Sequence, residues 1–366
     1  MLDEDGGTMA DAPLAARPAS HVCLQFSAAG VDRASKDSDK SLSAVQSVGK
    51  TLWLAGDESS SIERLTSDDR GNYAKHRSFD LSRYFELPGK PGEEVDIEGL
   101  ACDEETRRLW LVGSHSYRRA KVKRGMSDDE ALAALSSVDR QANRYLLGYL
   151  QFDADLKDIT AEPSKGFALP FGKESSELVD AMRENATYAP FLDLPSKDNG
   201  FDIEGLAVAN SRVFVGLRGP VLRGWATILQ LATEVIDNST LNLSRRADGK
   251  HDLVQHVLNL GGLGIRDLCP WNENLLILAG PTMELDGPMR VFLWRNAFVH
   301  DRSRRIDGNQ LEWLFDIPYG DRHDHAEGIA VVAGQGTDAR LLVVYDSPGK
   351  ERLHDGACYD ADLFRL

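Results

Sequence analysis

One short segment recurs along this chain, and this internal repeat constrains the fold more than any other feature of the sequence. The segment DIEGLA occurs at residues 96–101 and again at residues 202–207, and a looser copy, HAEGIA, occurs at residues 325–330. On the same apolar frame, GIRDLC at residues 264–269 and SLSAVQ at residues 41–46 align as two further copies. A recurring unit of this size is typical of solenoids, propellers and arrays.

Each copy is followed by short apolar runs that have the composition of strands. A second run comes within about ten residues of each copy, at residues 52–55, 109–112, 213–217, 275–279 and 341–345. A third run follows in most units, at residues 145–152, 226–231 and 291–294, and a fourth is indicated at residues 76–81, 256–260 and 311–317. Four-stranded units repeated about one axis predict an all-β fold, a five-bladed β-propeller.

The spacing of the repeats is regular except at one place. The third residue of each copy lies at position 43, 98, 204, 266 or 327, so one interval is nearly twice the others. A sixth blade would explain that interval, but nothing between residues 102 and 201 repeats the motif and its strand pair. Two helix-like stretches, residues 127–142 and 174–186, favour helical insertions in the second blade instead.

The two ends of the chain predict how the ring closes. The sequence ends just after a third strand at residues 359–364, so an N-terminal strand at residues 22–27 is expected to complete the last blade. Residues 1–21 then form a disordered lead, and residues 22–366 form one propeller domain. Because a closed ring leaves no strand edge to pair with a neighbour, we expect a monomer.

The cysteines and the N-terminus bear on the compartment. Cys23, Cys102, Cys269 and Cys358 include no CxxC pair, and residues 1–20 lack the basic start and apolar core of a signal peptide. We expect a cytoplasmic protein with free buried thiols. The strand clasp would place Cys23 beside the strand of Cys358, so an incidental disulfide stays open as an alternative.

The charge of the chain excludes two classes of partner. With a formal net charge of -16 and no apolar run long enough to span a bilayer, we expect binding neither to nucleic acid nor to a membrane. An anionic ligand would require a local basic patch.

The innermost strand of each propeller blade lines the axis, so equivalent positions form a ring. Here that ring reads Ser43, Glu98, Glu204, Arg266 and Glu327, with a formal charge of -2. Carboxylates at short range demand a cation or raise one another's pKa. The ring predicts a divalent cation held by Ser43, Glu98, Glu204 and Glu327, with calcium favoured over magnesium. A metal-free salt-bridge network built around Arg266 is the open alternative.

The face on which the second strands end is the candidate site. Asp96, Asp202, His115 and His325 are the candidate catalytic groups there. The basic residues of the same turns predict a site for an anionic small molecule, and the ligand-binding candidates are Ser114, Arg118, Arg119, Arg218, Arg223 and Arg266. A merely solvated basic loop is the alternative for residues 117–124.

Several of these motifs together resemble a known family. EGLA at residues 98–101, GSHS at 113–116, LRGP at 217–220, IRDL at 265–268 and AGP at 279–281 are similar to an uncharacterised bacterial domain-of-unknown-function family. More distantly, the Glu-Gly-Leu frame resembles the calcium-activated nucleotidases (apyrases) and the phytase-like esterase propellers. The apyrase resemblance implies an axial calcium at Ser43, Glu98, Glu204 and Glu327, and Arg266 departs from that pattern.

Two hypotheses of function follow from the sequence. The first is a metal-dependent hydrolase of a phosphorylated or otherwise anionic small molecule, related in chemistry to phosphoesterases and nucleotidases. The second is a non-enzymatic binding or scaffold propeller, in which the axial charges or an axial cation only hold the blades together.

Overall fold

A computed structural model describes residues 16–27, 41–56, 58–68, 71–160, 166–283, 285–320, 322–333, 339–354 and 358–366. Most of the expected N-terminal lead therefore lies outside the described residues. Within the described part the chain is all-β, and its sheets are arranged in a propeller-like manner. No helix of this part is long and apolar enough to cross a membrane.

The strands form sheets in which neighbours along the chain pair antiparallel. The first sheet has nine strands in the order β2-β3-β4-β5-β1-β26-β24-β23, with β25 paired to β26. Its strands are β1 (Ser20–Gln25), β2 (Ala44–Val48), β3 (Thr51–Ala55), β4 (Ser61–Ser67), β5 (Tyr73–Asp80), β23 (His325–Ala333), β24 (Arg340–Asp346), β25 (Leu353–His354) and β26 (Cys358–Arg365). The parallel pair β1 and β5 meets at one position, Leu24 opposite Tyr73.

Three further sheets carry the middle of the chain. One has the order β6 (Ile97–Asp103), β7 (Arg108–Gly113), β10 (Leu147–Gln151) and β11 (Phe167–Ala168). The next has the order β12 (Asp202–Ala209), β13 (Arg212–Leu222), β14 (Trp225–Leu231), β17 (Leu253–Asn259) and β21 (Arg304–Ile306). The last has the order β18 (Gly264–Trp271), β19 (Asn274–Gly280), β20 (Met289–Trp294) and β22 (Leu311–Ile317).

Two small hairpins complete the strands. β8 (Tyr117–Arg119) pairs with β9 (Val138–Arg140), and β15 (Thr233–Val235) pairs with β16 (Leu241–Leu243). Helix α1 (Asp128–Ser136) lies within the first hairpin and begins at a capping box of Ser127 and Glu130. It is shorter than the stretch 127–142 because residues 138–140 pair with β8. Helix α2 (Glu177–Arg183) lies within the stretch 174–186.

The innermost strands β2, β6, β12, β18 and β23 contact one another in a closed circle, each against the next. The hydrophobic core is correspondingly divided into clusters, each of which lies between two consecutive sets of strands. Trp53 and Trp294, both fully buried, fill two of these clusters. Burial of apolar area between neighbours is therefore the main favourable contribution to the ring.

The glycine of the recurring motif has a packing role. A Cβ atom on Gly99 would lie 2.6 Å from the Cβ of Leu206 on the next inner strand, and one on Gly205 would lie 2.8 Å from the Cγ of Leu268. At Gly328 the neighbour is the backbone nitrogen of Val45, at 3.0 Å. Glycine thus allows adjacent inner strands to approach closely, which explains why Gly follows Glu in the motif.

The ends of the chain meet in one sheet. β1 pairs antiparallel with β26, and Cys23 and Cys358 form a disulfide across this pair, with Cα atoms 5.6 Å apart. The expectation of free thiols is therefore wrong for these two residues, because the strand pairing brings them together. Cys102 and Cys269 are free.

Candidate functional site

Three of the five residues of the predicted axial ring, Glu204, Arg266 and Glu327, form a salt-bridge network in this structure. Arg266 lies between two carboxylates: its Nε is 3.0 Å from Oε2 of Glu204, and its terminal nitrogen contacts Oε1 of Glu327. Ser43 donates its hydroxyl to the carbonyl of Ile97 at 2.6 Å. Glu204 and Arg266 are buried, and Glu327 is nearly so. Buried charges are tolerated when they are paired in this way.

Two further arginines reach the same region from outside the repeated frame. Arg218 donates to Oε1 of Glu204 at 2.8 Å and lies 3.6 Å from Asp202. Arg144 lies 2.6 Å from Glu94 and 3.2 Å from Asp96. Arg144 was missed by sequence reasoning because it lies between β9 and β10, in a segment that shares no pattern with the repeats.

The two aspartates that begin the DIEGLA motif are buried with raised pKa values. Burial and, to a smaller extent, the charge of Glu204 raise the pKa of Asp202, whereas Arg218 lowers it, and the net pKa is about 8. The pKa of Asp96 is also raised by burial, while Arg144 and a hydrogen bond from Ser114 act in the opposite direction. Burial therefore favours the protonated form of Asp202, the form that can donate a proton.

A cavity of about 590 Å³ lies over these aspartates, and we call it the carboxylate cavity. Its wall carries seven carboxyl groups: Glu58, Glu94, Asp96, Glu98, Asp198, Asp202 and Glu204. Basic side chains line it as well: Arg118, Arg119, Lys121, Arg144, Lys197 and Arg218. Of these, Arg119 pairs with Asp198 at 2.6 Å, and Arg118 is about half exposed.

A second cavity of about 580 Å³ shares Lys197 and Arg218 with the first, and we call it the arginine cavity. Arg266, Arg322 and His325 also line it. His325 Nε2 lies 3.0 Å from Oδ1 of Asp286, which also lines this cavity. Both cavities lie near the ends of the second strands. The lining of the arginine cavity, for example, includes Pro281 and Ser347, which directly follow β19 and β24.

The structure does not bring every predicted residue to these cavities. His115 is buried, its Nδ1 lies 2.8 Å from the carbonyl of Gly113, and desolvation lowers its pKa to about 4. It lines neither cavity, and nor does Arg223, which lies at the β13–β14 turn with a φ of 51°. Ser114 is also buried, and its side chain forms a hydrogen bond with Asp96.

The ring was tested for its fit to a calcium ion. A calcium site needs several oxygen atoms converging on one point. Here oxygen atoms of Glu204 and Glu327 lie against arginine nitrogens, which would repel a cation. Among the residues that the structure describes, one group of three His, Cys, Asp or Glu side chains brings its ligand atoms within 4.8 Å of one another: His323, Asp324 and Glu351. The axial glutamates in this arrangement do not fit the ion.

Comparison with known proteins places the chain in a family without an assigned activity. A family model described as "Protein of unknown function (DUF3616)" matches residues 41–362. A search of curated proteins found no match.

Several solved structures are similar to this chain at low identity and with low TM-scores. The glutaminyl cyclase of Myxococcus xanthus is 10% identical, with a TM-score of 0.41, and the match covers 96% of this chain and 97% of that one. The PQQ-bound aldose sugar dehydrogenase of Streptomyces coelicolor is 11% identical, with a TM-score of 0.36 and coverage of 95% and 100%. A GH43 glycoside hydrolase is 11% identical, with a TM-score of 0.44 and coverage of 90% and 51%. At these scores the likenesses carry no argument about function.

Proposed function

We propose that this chain, which belongs to the DUF3616 family of proteins of unknown function, is a hydrolase of a small anionic molecule bound where its two cavities meet. The observation that carries the proposal is the lining of the carboxylate cavity. Seven carboxyl groups, two of them the buried aspartates Asp96 and Asp202, share one wall with six basic side chains. Carboxyl groups in different environments supply an acid and a base, and cations bind the anion.

We infer that the ring is a five-bladed propeller with α1 and α2 inserted in and after its second blade. The nine-stranded sheet is then two blades that meet at β1 and β5, and β1 is the outer strand of the last blade. The closed circle of five inner strands supports this inference. We also propose, from the Glu-Gly-Leu frame of the sequence, a remote similarity to the apyrase and phytase-like propellers.

The chemistry follows from the protonation states. Asp202, whose protonated form burial favours, donates its proton to the leaving group. Glu98, which is half-buried in the wall of the carboxylate cavity, accepts a proton from the attacking water. Arg218 binds the anionic group, because it borders both cavities. Arg118 and Arg119 lie at the wall of the carboxylate cavity and add positive potential there.

A divalent cation, calcium rather than magnesium, stays a prediction for the axis. The ion pairs of Arg266 and Arg218 with Glu204 favour the metal-free network, so no step of the proposed reaction uses a metal. Elemental analysis of the purified protein, together with activity measured before and after chelation, tests the prediction.

The experiment for the hydrolase is a screen with matched variants. The purified protein is assayed against phosphate monoesters, phosphodiesters and carboxylate-bearing esters. With the substrate found, Asp202→Asn should lower kcat by about 10²-fold or more, because a general acid contributes that much. Arg218→Met should mainly raise KM. Glu312→Gln is the control. Glu312 forms an exposed ion pair with Arg295, and neither residue lines either cavity. No turnover in the screen, or equal turnover by Asp202→Asn, overturns the proposal.

A scaffold or binding module is the second candidate, and the completeness of the axial ion pairs favours it. Arg144, Arg218 and Arg266 each have carboxylate partners without any ligand. Glu204→Gln separates the candidates: a scaffold should lose melting temperature and keep partner binding, whereas the hydrolase should also lose turnover.

A further inference from the structure

Most basic side chains of the arginine cavity already have acidic partners, and one does not. Arg218 and Arg266 pair with the axial glutamates, and His325 pairs with Asp286. Arg322 also lines the cavity, and within the described part of the chain its guanidinium has no ion-pair partner. This guanidinium is therefore available to bind an anion.

Apolar side chains also line the arginine cavity. They are Pro281, Met283, Leu285 and Met289; Met283 and Leu285 are 46% and 61% exposed, whereas Met289 is buried. Large apolar side chains gathered beside polar groups at a concave site are typical of a surface that contacts an apolar part of a ligand. Methionine is well suited to this role because its flexible side chain adapts to different shapes.

Arg218 connects this cavity to the proposed catalytic wall. It lines both cavities and is only 8% exposed, and one terminal nitrogen bonds to Glu204 while its Nε has no hydrogen-bond partner. A buried donor without a partner is costly, and an anion at this position would satisfy it. An anionic group at Arg218 would therefore have carboxyl groups on one side and the apolar wall on the other.

We propose that the arginine cavity binds the apolar substituent of the substrate, so that the substrate class is an amphipathic anion: a phosphate or carboxylate that carries an aryl or alkyl group. This inference rests on the proposed function for the place of the reacting bond. It adds that Met283 and Leu285 determine specificity, and that Arg322 holds the anion in the second cavity.

Titration calorimetry with matched ligands tests the inference. Phenyl phosphate and methyl phosphate carry the same head group and differ in apolar area, and benzoate replaces the phosphate with a carboxylate. Phenyl phosphate should bind at least about tenfold more tightly than methyl phosphate, because burial of a ring adds a hydrophobic contribution of that order. The double variant Met283→Ser with Leu285→Ser should remove that difference and leave methyl phosphate binding unchanged. Arg322→Met should weaken both phosphates.

The controls and outcomes keep the two proposals apart. Val299→Ser changes another exposed apolar residue, which lies outside both linings, and should have no effect on binding. Equal binding of phenyl and methyl phosphate, or an equal loss of both in the double serine variant, overturns the inference while Asp202-dependent hydrolysis still stands. Tighter phenyl phosphate binding that the serine variant abolishes, without turnover of any substrate, supports the inference and overturns the hydrolase. Failure of all three ligands to bind overturns the inference.

Discussion

Glu204→Gln is the substitution whose effect the structure defines most sharply. The carboxylate is only 4% exposed and accepts from Arg218 at 2.8 Å, while Arg266 Nε lies 3.0 Å from its other oxygen. Glutamine keeps the size of the side chain and removes the charge, so two buried guanidinium groups lose a shared counter-charge. Removing one partner of a buried ion pair costs about 3–5 kcal/mol. We expect a loss of unfolding free energy of that size.

Urea unfolding followed by circular dichroism measures the loss. With an m-value of roughly 3 kcal/mol/M, the midpoint should fall by about 1–2 M. The control is Glu312→Gln, whose pair with Arg295 is about half exposed on both sides. An exposed pair contributes about 0–1 kcal/mol, so its midpoint should hardly move.

A double-mutant cycle assigns the loss to a particular pair. If Glu204→Gln acts through Arg266, then combining it with Arg266→Met should cost less than the sum of the two single substitutions. A Glu204→Gln midpoint within experimental error of the Glu312→Gln midpoint would refute the buried network.

Three other predictions follow from single features of the fold. Because burial raises the folded-state pKa of Asp202 to about 8, the folded state keeps a proton that the unfolded chain loses; stability should fall as pH rises from about 4 to about 8, and Asp202→Asn should flatten that part of the curve. Cys23→Ser should lower the unfolding free energy by about 2–5 kcal/mol and abolish the effect of a reductant on the melting temperature, whereas Cys102→Ser should leave that effect intact. Gly99→Ala should cost about 1–3 kcal/mol because its Cβ would meet Leu206, whereas Gly172→Ala, with open space around it, should cost less; equal melting temperatures would contradict the packing role of the motif glycine.

Much of the fold could be predicted because the repeat carries a physical requirement in each copy. The Glu-Gly-Leu motif puts a charged side chain at the axis, a glycine against the neighbouring inner strand and an apolar residue in the core. Where the fourth copy has Asp267 in place of glycine, its carboxylate accepts the backbone N–H groups of Leu268 and Ile329, both at 2.7 Å, and so also joins adjacent strands. The sequence showed that this segment aligns with the other copies. That the Asp267 carboxylate joins the adjacent strands in place of the glycine contact could be seen only in the structure.

The remainder depended on contacts between segments that share no pattern. Arg144 enters the site from a short segment before β10, so its charge could not be assigned to the axis in advance. The sequence left the Cys23–Cys358 disulfide open as an alternative, because whether the two thiols meet depends on the register of two strands from opposite ends of the chain. The apolar wall of the arginine cavity includes Met283 and Leu285, which in sequence look like ordinary loop residues.

A crystal structure of the protein soaked with phenyl phosphate tests most directly whether the axial charges and the two cavities form one anion site. The account predicts a phosphate hydrogen-bonded to Arg218 and a ring against Met283 and Leu285, with Glu204 between Arg218 and Arg266. Density for the ligand elsewhere on the surface, or axial glutamates that point away from these arginines, would contradict it.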